Sequence, residues 1–144
     1  MVSVKFLGGL VAAALVTGCV APGETYQDRL SNLRSGSLST VSDYATSVAE
    51  FRKSDSEESA IELGKHLVAD SLKDPGSAQF RNVRFVKYGP GAVICGEVNG
   101  KNSYGGYVGF KRFVAGTTGS TFVESGKYAD VDAAANAGIN SACR

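Results

Sequence analysis

Two stretches of the chain repeat their apolar residues at the spacing of an α-helix. From Leu38 onward, apolar residues recur every three or four positions, which predicts a helix over residues 38–52. A second stripe follows Ser54, and Ser54 and Glu57 have the spacing of a capping box that would begin this helix. An amphipathic helix of this length is marginal alone, so its apolar face is expected to pack on a sheet. The second stripe consists of Ala60, Ile61, Gly64, Leu67, Val68, Ser71 and Leu72.

The second half of the chain carries strand signals. Gly89-Pro90-Gly91 separates two runs rich in Val, Ile, Phe and Tyr, which predicts a β-hairpin. Two further strands follow at short intervals, and the tail from Asp130 predicts a weak helix. We therefore expect an α+β domain with one or two helices packed on a three- to four-stranded antiparallel sheet. The predicted strands are residues 79–88, 92–99, 107–114 and 121–124.

The first apolar run is too short to cross a membrane. Residues 6–16 form an eleven-residue run after Lys5, whereas a spanning helix needs about 20 residues. The run ends in Leu15-Val16-Thr17-Gly18-Cys19, which resembles the lipobox of bacterial lipoproteins. The resemblance implies a signal peptide over residues 1–18 and acyl chains on Cys19 that anchor the protein to the membrane. The alternatives are an ordinary secretory signal that contains a cysteine, or a short membrane anchor.

Lipoprotein sorting and the two remaining cysteines extend this interpretation. Val20 stands where an aspartate retains enteric lipoproteins in the inner membrane, so the resemblance implies an outer-membrane anchor facing the periplasm. Cys95 and Cys143 then form an even pair in a compartment that oxidises thiols, and a disulfide is the expected state. This bond would tie the C-terminal helix or tail back to the sheet. Two free thiols or an intermolecular bridge are the alternatives.

Composition predicts one domain behind a tether. Residues 19–37 are rich in Pro, Gly, Ser, Thr and Asn and are predicted to be flexible. Residues 38–144 are then a single α+β domain, best defined over residues 54–144. Basic and acidic side chains balance after the signal peptide, which argues against nucleic acid as a partner. Between Arg81 and Arg112, however, six bases accompany only Glu97, which indicates either a basic face or alternating surface charge.

Two segments, DPGSAQFRNV and CGEVNGKNSYGGYVGF, resemble a motif pair of small, largely uncharacterised exported proteins from proteobacteria and their prophages, which commonly end in a cysteine. The first is residues 74–83, and the second is residues 95–110. The resemblance covers about residues 60–143. It implies no activity, because none is established for that group.

The second motif also contains the candidate contact residues. Its aromatic rings and cationic side chains could hold a sugar polymer or a protein loop. The alternative is a tight structural loop whose aromatic side chains fill the core under the helix, with Gly105, Gly106 and Gly109 bending the strand. The candidate residues are Lys101, Asn102, Tyr104, Tyr107, Phe110, Lys111 and Arg112.

No catalytic site is indicated. His66, the one histidine, has Glu62 and Asp70 four residues to either side, a spacing more typical of solvated helix pairs than of a catalytic trio. No pair of His or Cys ligands remains for a metal once the cysteines are assigned, and no cofactor is expected. The sequence therefore predicts a non-catalytic structural or binding module, anchored by lipid in the cell envelope, with an envelope protein or cell-wall partner. The alternative is a periplasmic inhibitor or a phage-encoded exclusion factor that acts on an envelope protein.

Overall fold

The computed structural model describes residues 23–144, so the predicted signal peptide and Cys19 lie outside the described residues. This part of the chain folds into α-helices and one antiparallel sheet, and the predicted α+β class is confirmed. The helices are α1 (Tyr26–Phe51), α2 (Glu57–Asp70), α3 (Ala129–Ala135) and α4 (Ala137–Ala142), with a 3-10 turn at Pro75–Ser77. The strands are β1 (Gln79–Tyr88), β2 (Gly91–Asn99), β3 (Lys111–Ala115) and β4 (Ser120–Phe122).

The sheet is a meander with the strand order β1-β2-β3-β4. The predicted hairpin is confirmed, with Tyr88 opposite Gly91 at the turn. A bulge interrupts the β1–β2 pairing between Arg81 and Arg84, and Asn82 within it has a φ of 53°. Asparagine tolerates this left-handed conformation better than most residues, which explains its place in the bulge.

Strand β2 lies at the centre of the core and is covered on both faces. Every residue from 92 to 96 is buried. Because side chains alternate along a strand, Val93 and Cys95 face one helical layer while Ile94 and Val98 face the other. The first layer includes Val41, Ala45, Ile139 and Ala142 from α1 and α4. The second includes Ala60 and Val68 from α2, which confirms that the apolar face of α2 packs on the sheet.

The predicted disulfide joins β2 to the end of the chain. Cys95 and Cys143 are bonded, with their Cα atoms 5.6 Å apart, and both are buried among apolar side chains of the first layer. The tail forms two short helices that meet at Asn136. The Asn136 amide donates to the Glu124 carbonyl and accepts from the Glu124 backbone N–H, both at 2.8 Å. The predicted return of the tail to the sheet is therefore confirmed.

Helix α1 begins twelve residues before the predicted start at Leu38, so the predicted tether over residues 19–37 is wrong from Tyr26 onward. Thr25 caps the helix in a capping box with Asp28. The Tyr26 hydroxyl also donates to the Asp130 carboxylate at 2.6 Å, so α3 holds this end of α1. Further along, the Gly138 backbone N–H donates to the Ser37 hydroxyl at 2.9 Å. Packing against α3 and α4 therefore overrides the weak helix propensity of this serine- and glycine-rich segment.

The predicted capping box of α2 is also wrong, because the cap is Ser56 rather than Ser54. The Ser56 hydroxyl accepts a hydrogen bond from the backbone N–H of Ser59 at 3.1 Å. Ser54 instead donates its backbone N–H to the Phe51 carbonyl at 3.1 Å and its hydroxyl to the Asp55 carboxylate at 2.9 Å. Ser54 therefore closes the end of α1, and the next hydroxyl along the chain begins α2.

The two later strands are shorter than predicted. β3 begins at Lys111 instead of residue 107, because residues 102–110 make hydrogen bonds within their own loop. β4 ends at Phe122, two residues before the predicted end. Over residues 23–144, none of the helices has the length and apolar character that crossing a membrane requires.

Candidate functional site

The loop between β2 and β3, residues 100–110, contains most of the candidate contact residues and has an ordered backbone. Lys101 and Tyr107 form an isolated antiparallel bridge across its base. Inside this bridge the Asn102 backbone N–H donates to the Gly106 carbonyl at 2.9 Å, and the Gly105 N–H donates to the Asn102 carbonyl at 3.0 Å. Gly105 has a φ of 80°, which only glycine adopts without strain. The tip is therefore a tight turn with a defined shape.

Two asparagine side chains supply further hydrogen bonds to the loop. The Asn102 side-chain oxygen accepts from the backbone N–H of Tyr104 at 2.9 Å and of Gly106 at 3.1 Å. The buried Asn99 side-chain oxygen accepts from the Gly109 N–H at 3.0 Å, where Gly109 has a φ of 92°. Asn102 therefore has a structural role as well as its predicted place on the contact surface. Asn99 is a further structural residue, which the sequence analysis missed.

The aromatic side chains of the loop face outward. Tyr104 is 97 % exposed, Tyr107 47 % and Phe110 36 %, and Val108 beside them is 57 % exposed. The interpretation that these aromatic side chains fill the core under the helix is therefore wrong. That place is taken by Phe113, Val98 and Ile94, which come from the strands themselves. The loop instead presents apolar side chains to the surroundings on a hydrogen-bonded frame.

Phe110 belongs to a charged cluster at the end of the sheet. The Arg81 guanidinium lies 3.9 Å from the centre of the Phe110 ring. It also donates two hydrogen bonds to Glu97, at 2.8 and 3.1 Å, and the Asn82 amide donates a third at 2.9 Å. These hydrogen bonds, the one from Arg81 first, hold the pKa of the Glu97 carboxyl below its ordinary value. Arg81 and Glu97 were missed because their contact depends on the register of β1 beside its bulge.

Lys111 and Arg112 do not share one surface. They are neighbours on β3, so their side chains leave opposite faces of the sheet. Lys111 stands opposite Val98 on the α2 side, whereas Arg112 stands opposite Glu97 and donates to the Asn140 side chain of α4 at 2.7 Å. The predicted contact surface is therefore divided, with Arg112 on the α4 side.

A groove of about 310 Å³ opens on the α2 side of the loop. Its apolar walls come from Leu72, Val98, Val108 and Phe122. Lys73, Lys101 and Lys111 stand around it, and no acidic side chain lines it. Within residues 23–144 none of these three lysines is in an ion pair, since the lysine ion pairs found there are those of Lys53 and Lys65. The ammonium group of Lys101 lies 5.6 Å from the centre of the Tyr107 ring.

The candidate acid–base trio on α2 does not form. Glu62 pairs with Lys65 at 2.9 Å rather than with His66. His66 is exposed, and its Nε2 lies 3.5 Å from a carboxylate oxygen of Asp70. In the part of the chain that the structure describes, no group of three or more His, Cys, Asp or Glu side chains could hold a metal ion.

Comparison of the chain with protein-family models, with curated proteins and with solved structures finds no match.

Proposed function

We propose that this chain is a lipid-anchored, non-catalytic binding module of the cell envelope, which contacts another envelope component through the loop of residues 100–110. The observation that carries the proposal is the exposure of Tyr104, Tyr107 and Val108 on a loop whose backbone is fixed by Asn99 and Asn102. Ordering a loop before binding removes much of the entropic cost of association. Exposed aromatic side chains on such a frame are typical of contact surfaces.

Two features support the envelope location. Leu15-Val16-Thr17-Gly18-Cys19 has the residue pattern of a lipobox. The bonded pair Cys95 and Cys143 fits an oxidising compartment such as the periplasm, where disulfides persist.

The arrangement of the reactive side chains supports a non-catalytic role. His66, the one histidine of the chain, lies on the exposed side of α2 in contact with Asp70. Cys95 and Cys143 are committed to each other and buried. Neither the loop nor the lining of the groove therefore contains a histidine or a cysteine that could act as base or nucleophile.

Replacement of the predicted lipidated cysteine tests the anchor. In the native chain we expect intact-mass analysis to show cleavage before Cys19 and the added mass of acyl chains, with the protein in the membrane fraction. In Cys19→Ser both the added mass and the membrane association should be lost. A native chain with an unmodified amino terminus would refute the anchor, whatever the loop binds.

Site-specific crosslinking tests the contact surface in intact envelopes. A photoreactive amino acid is placed at position 104, and the control carries it at position 128, where Tyr128 is 59 % exposed outside the loop. We expect a crosslinked species from position 104 that is absent from position 128 and weakened by Tyr107→Ala and by Lys111→Glu. If both positions give the same species, and these substitutions change nothing, the proposed surface is wrong.

A second candidate function is an inhibitor of an envelope protein, cellular or phage-encoded. The feature that favours it is the shape of the loop, because Tyr104 projects almost fully exposed from a tight turn and could enter a cleft. The same crosslinking experiment separates the two functions. A crosslinked hydrolase or receptor that loses its activity in the presence of the native chain, but keeps it with Tyr104→Ala, would favour inhibition.

A further inference from the structure

We infer that the groove beside the loop is a docking site for the headgroup of an anionic membrane phospholipid, with the loop tip in contact with the bilayer interface. This inference rests on the proposed function and names the envelope component that the loop contacts. It is carried by three lysines without acidic partners around apolar walls, next to the exposed Tyr104 and Val108.

The positive charge of the groove is assembled from three separate elements. Lys73 follows the carboxyl end of α2, Lys101 lies at the base of the loop, and Lys111 begins β3. The dipole of α2 favours a cation near its carboxyl end and so accounts for Lys73 alone. Lys101 and Lys111 are far from Lys73 in sequence and have no such explanation. Convergence of three uncompensated cations on one concavity is complementary to an anion.

The walls of the groove select an anion with an apolar part. Val98 is almost fully buried at the base, and Leu72 packs closely over Gly100, where an added Cβ would come within 2.9 Å of the Leu72 side chain. Val108 continues this apolar surface outward to the loop. A free inorganic anion would gain nothing from these walls, whereas a phospholipid places its phosphate among the lysines and its proximal carbons against Val98 and Leu72.

The exposed residues of the loop match a membrane interface. Tyrosine is enriched at the headgroup level of bilayers because its ring is apolar and its hydroxyl is polar. Tyr104 projects from the tip, and Tyr107 and Val108 lie behind it. An acidic partner protein would satisfy the lysines equally well, and it would be detected as a specific protein crosslink from position 104 rather than as contact with lipid. The combination of cations and interfacial side chains therefore favours lipid.

The start of α1 limits how far the domain can lie from its own bilayer. With acyl chains on Cys19, six peptide units lead to Thr25, the cap of α1. Six residues span at most about 20 Å when fully extended. The anchor therefore keeps the start of α1 close to the bilayer and raises the local concentration of lipid around the domain, so even a weak individual contact is populated.

A fluorescent reporter at the loop tip tests the inference directly, because the chain contains no tryptophan. Tyr104→Trp is expected to leave the fold unchanged, since the side chain is almost fully exposed. The lipidated mature chain is reconstituted in vesicles of phosphatidylcholine, with or without an equimolar amount of phosphatidylglycerol, and brominated lipid serves as quencher. We expect blue-shifted, strongly quenched emission only with phosphatidylglycerol. An ionic strength of about 1 M, where the Debye length is about 3 Å, should reverse both the blue shift and the quenching. In the control variant Tyr128→Trp, the tryptophan emission should not change when phosphatidylglycerol is present.

Matched charge variants identify the groove as the source of the effect. Lys73→Gln with Lys111→Gln removes two exposed groove lysines, and Lys87→Gln with Lys127→Gln removes two exposed lysines elsewhere. A lysine near an anionic surface strengthens binding about fivefold, so the groove pair should weaken docking about 25-fold. The control pair should change the strength of docking by less than about threefold relative to the parent chain. Retained α-helical circular dichroism shows that each variant is folded.

Three outcomes overturn the inference. One is equal quenching with and without phosphatidylglycerol. Another is equal weakening by the two lysine pairs, which would indicate net charge rather than the groove. The third is inorganic phosphate producing the same spectral change in phosphatidylcholine vesicles, which would indicate a free-anion site. If docking fails but position 104 still crosslinks specifically to an envelope protein, the proposed function stands and only the lipid assignment is lost.

Discussion

Breaking the Cys95–Cys143 bond is expected to remove a large part of the stability of the domain. The bond spans 48 residues, and loop-closure entropy for a loop of that size stabilises the folded state by about 4 kcal/mol at room temperature. A domain of this size has a free energy of unfolding of about 5–15 kcal/mol. The bond also fixes α4, since Cys143 follows α4 directly and Cys95 lies at the centre of β2. Reduction should therefore lower global stability and release α4 first.

Urea unfolding of the oxidised and reduced chain measures this effect. With a slope of about 2 kcal/mol per molar urea, a loss of 4 kcal/mol lowers the midpoint by about 2 M. Cys95→Ala with Cys143→Ala should give at least the same loss, because both sulfur atoms are buried and their packing is lost as well. A midpoint shift below about 0.5 M, or complete alkylation of both cysteines in the native chain without reductant, would refute this reasoning.

The remaining predictions concern two glycines, the loop and pH. Gly138→Ala should lower the free energy of unfolding by about 1–3 kcal/mol, because an added Cβ meets the facing carbonyl of α1. Gly36→Ala, with open space around it, should raise it by up to about 1 kcal/mol in the same urea assay. Asn99→Ala should cost about 1–3 kcal/mol and speed hydrogen exchange at the loop, and unchanged exchange would contradict its bracing role. Tyr107→Ala should leave the urea midpoint nearly unchanged, because its side chain is half exposed, while weakening the specific crosslink from position 104. Because folding lowers the pKa of Glu97, its ionised carboxylate stabilises the fold above the ordinary pKa of 4.5. This stabilisation is lost as the pH falls through the pKa of the folded state. If the free energy of unfolding of Glu97→Gln follows that of the parent chain over the same acid range, the prediction is contradicted.

The sequence predicted the elements whose signals are local and strong. The hairpin around Gly89-Pro90-Gly91 has turn residues between two β-rich runs, and α2 has a clear stripe of apolar residues. The disulfide followed from counting cysteines. The beginning of α1 was missed because Tyr26 and Ser37 are held by residues of the tail, and contacts between the two ends of a chain leave no mark in local composition.

The sequence indicated where the candidate contact residues lie along the chain, but not how their side chains are arranged in space. Alternation along β3 already implied that Lys111 and Arg112 diverge, so that division was available from the sequence. The partnership of Arg81 with Glu97 was not, because it requires the bulge at Asn82 that shifts the register of β1. The outward direction of Tyr104 follows from the hydrogen bonds of Asn102, which depend on a turn geometry that composition alone does not determine.

The outer strand β1 has a consequence for crowding. It is ten residues long and, within residues 23–144, pairs with β2 alone, so its other edge offers backbone groups that a second molecule could extend into a continuous sheet. The kink at Asn82 makes this border irregular, and the exposed cations Arg84 and Lys87 make two such borders mutually repulsive. Two copies of the domain that meet at this edge are therefore not expected to polymerise through their sheets.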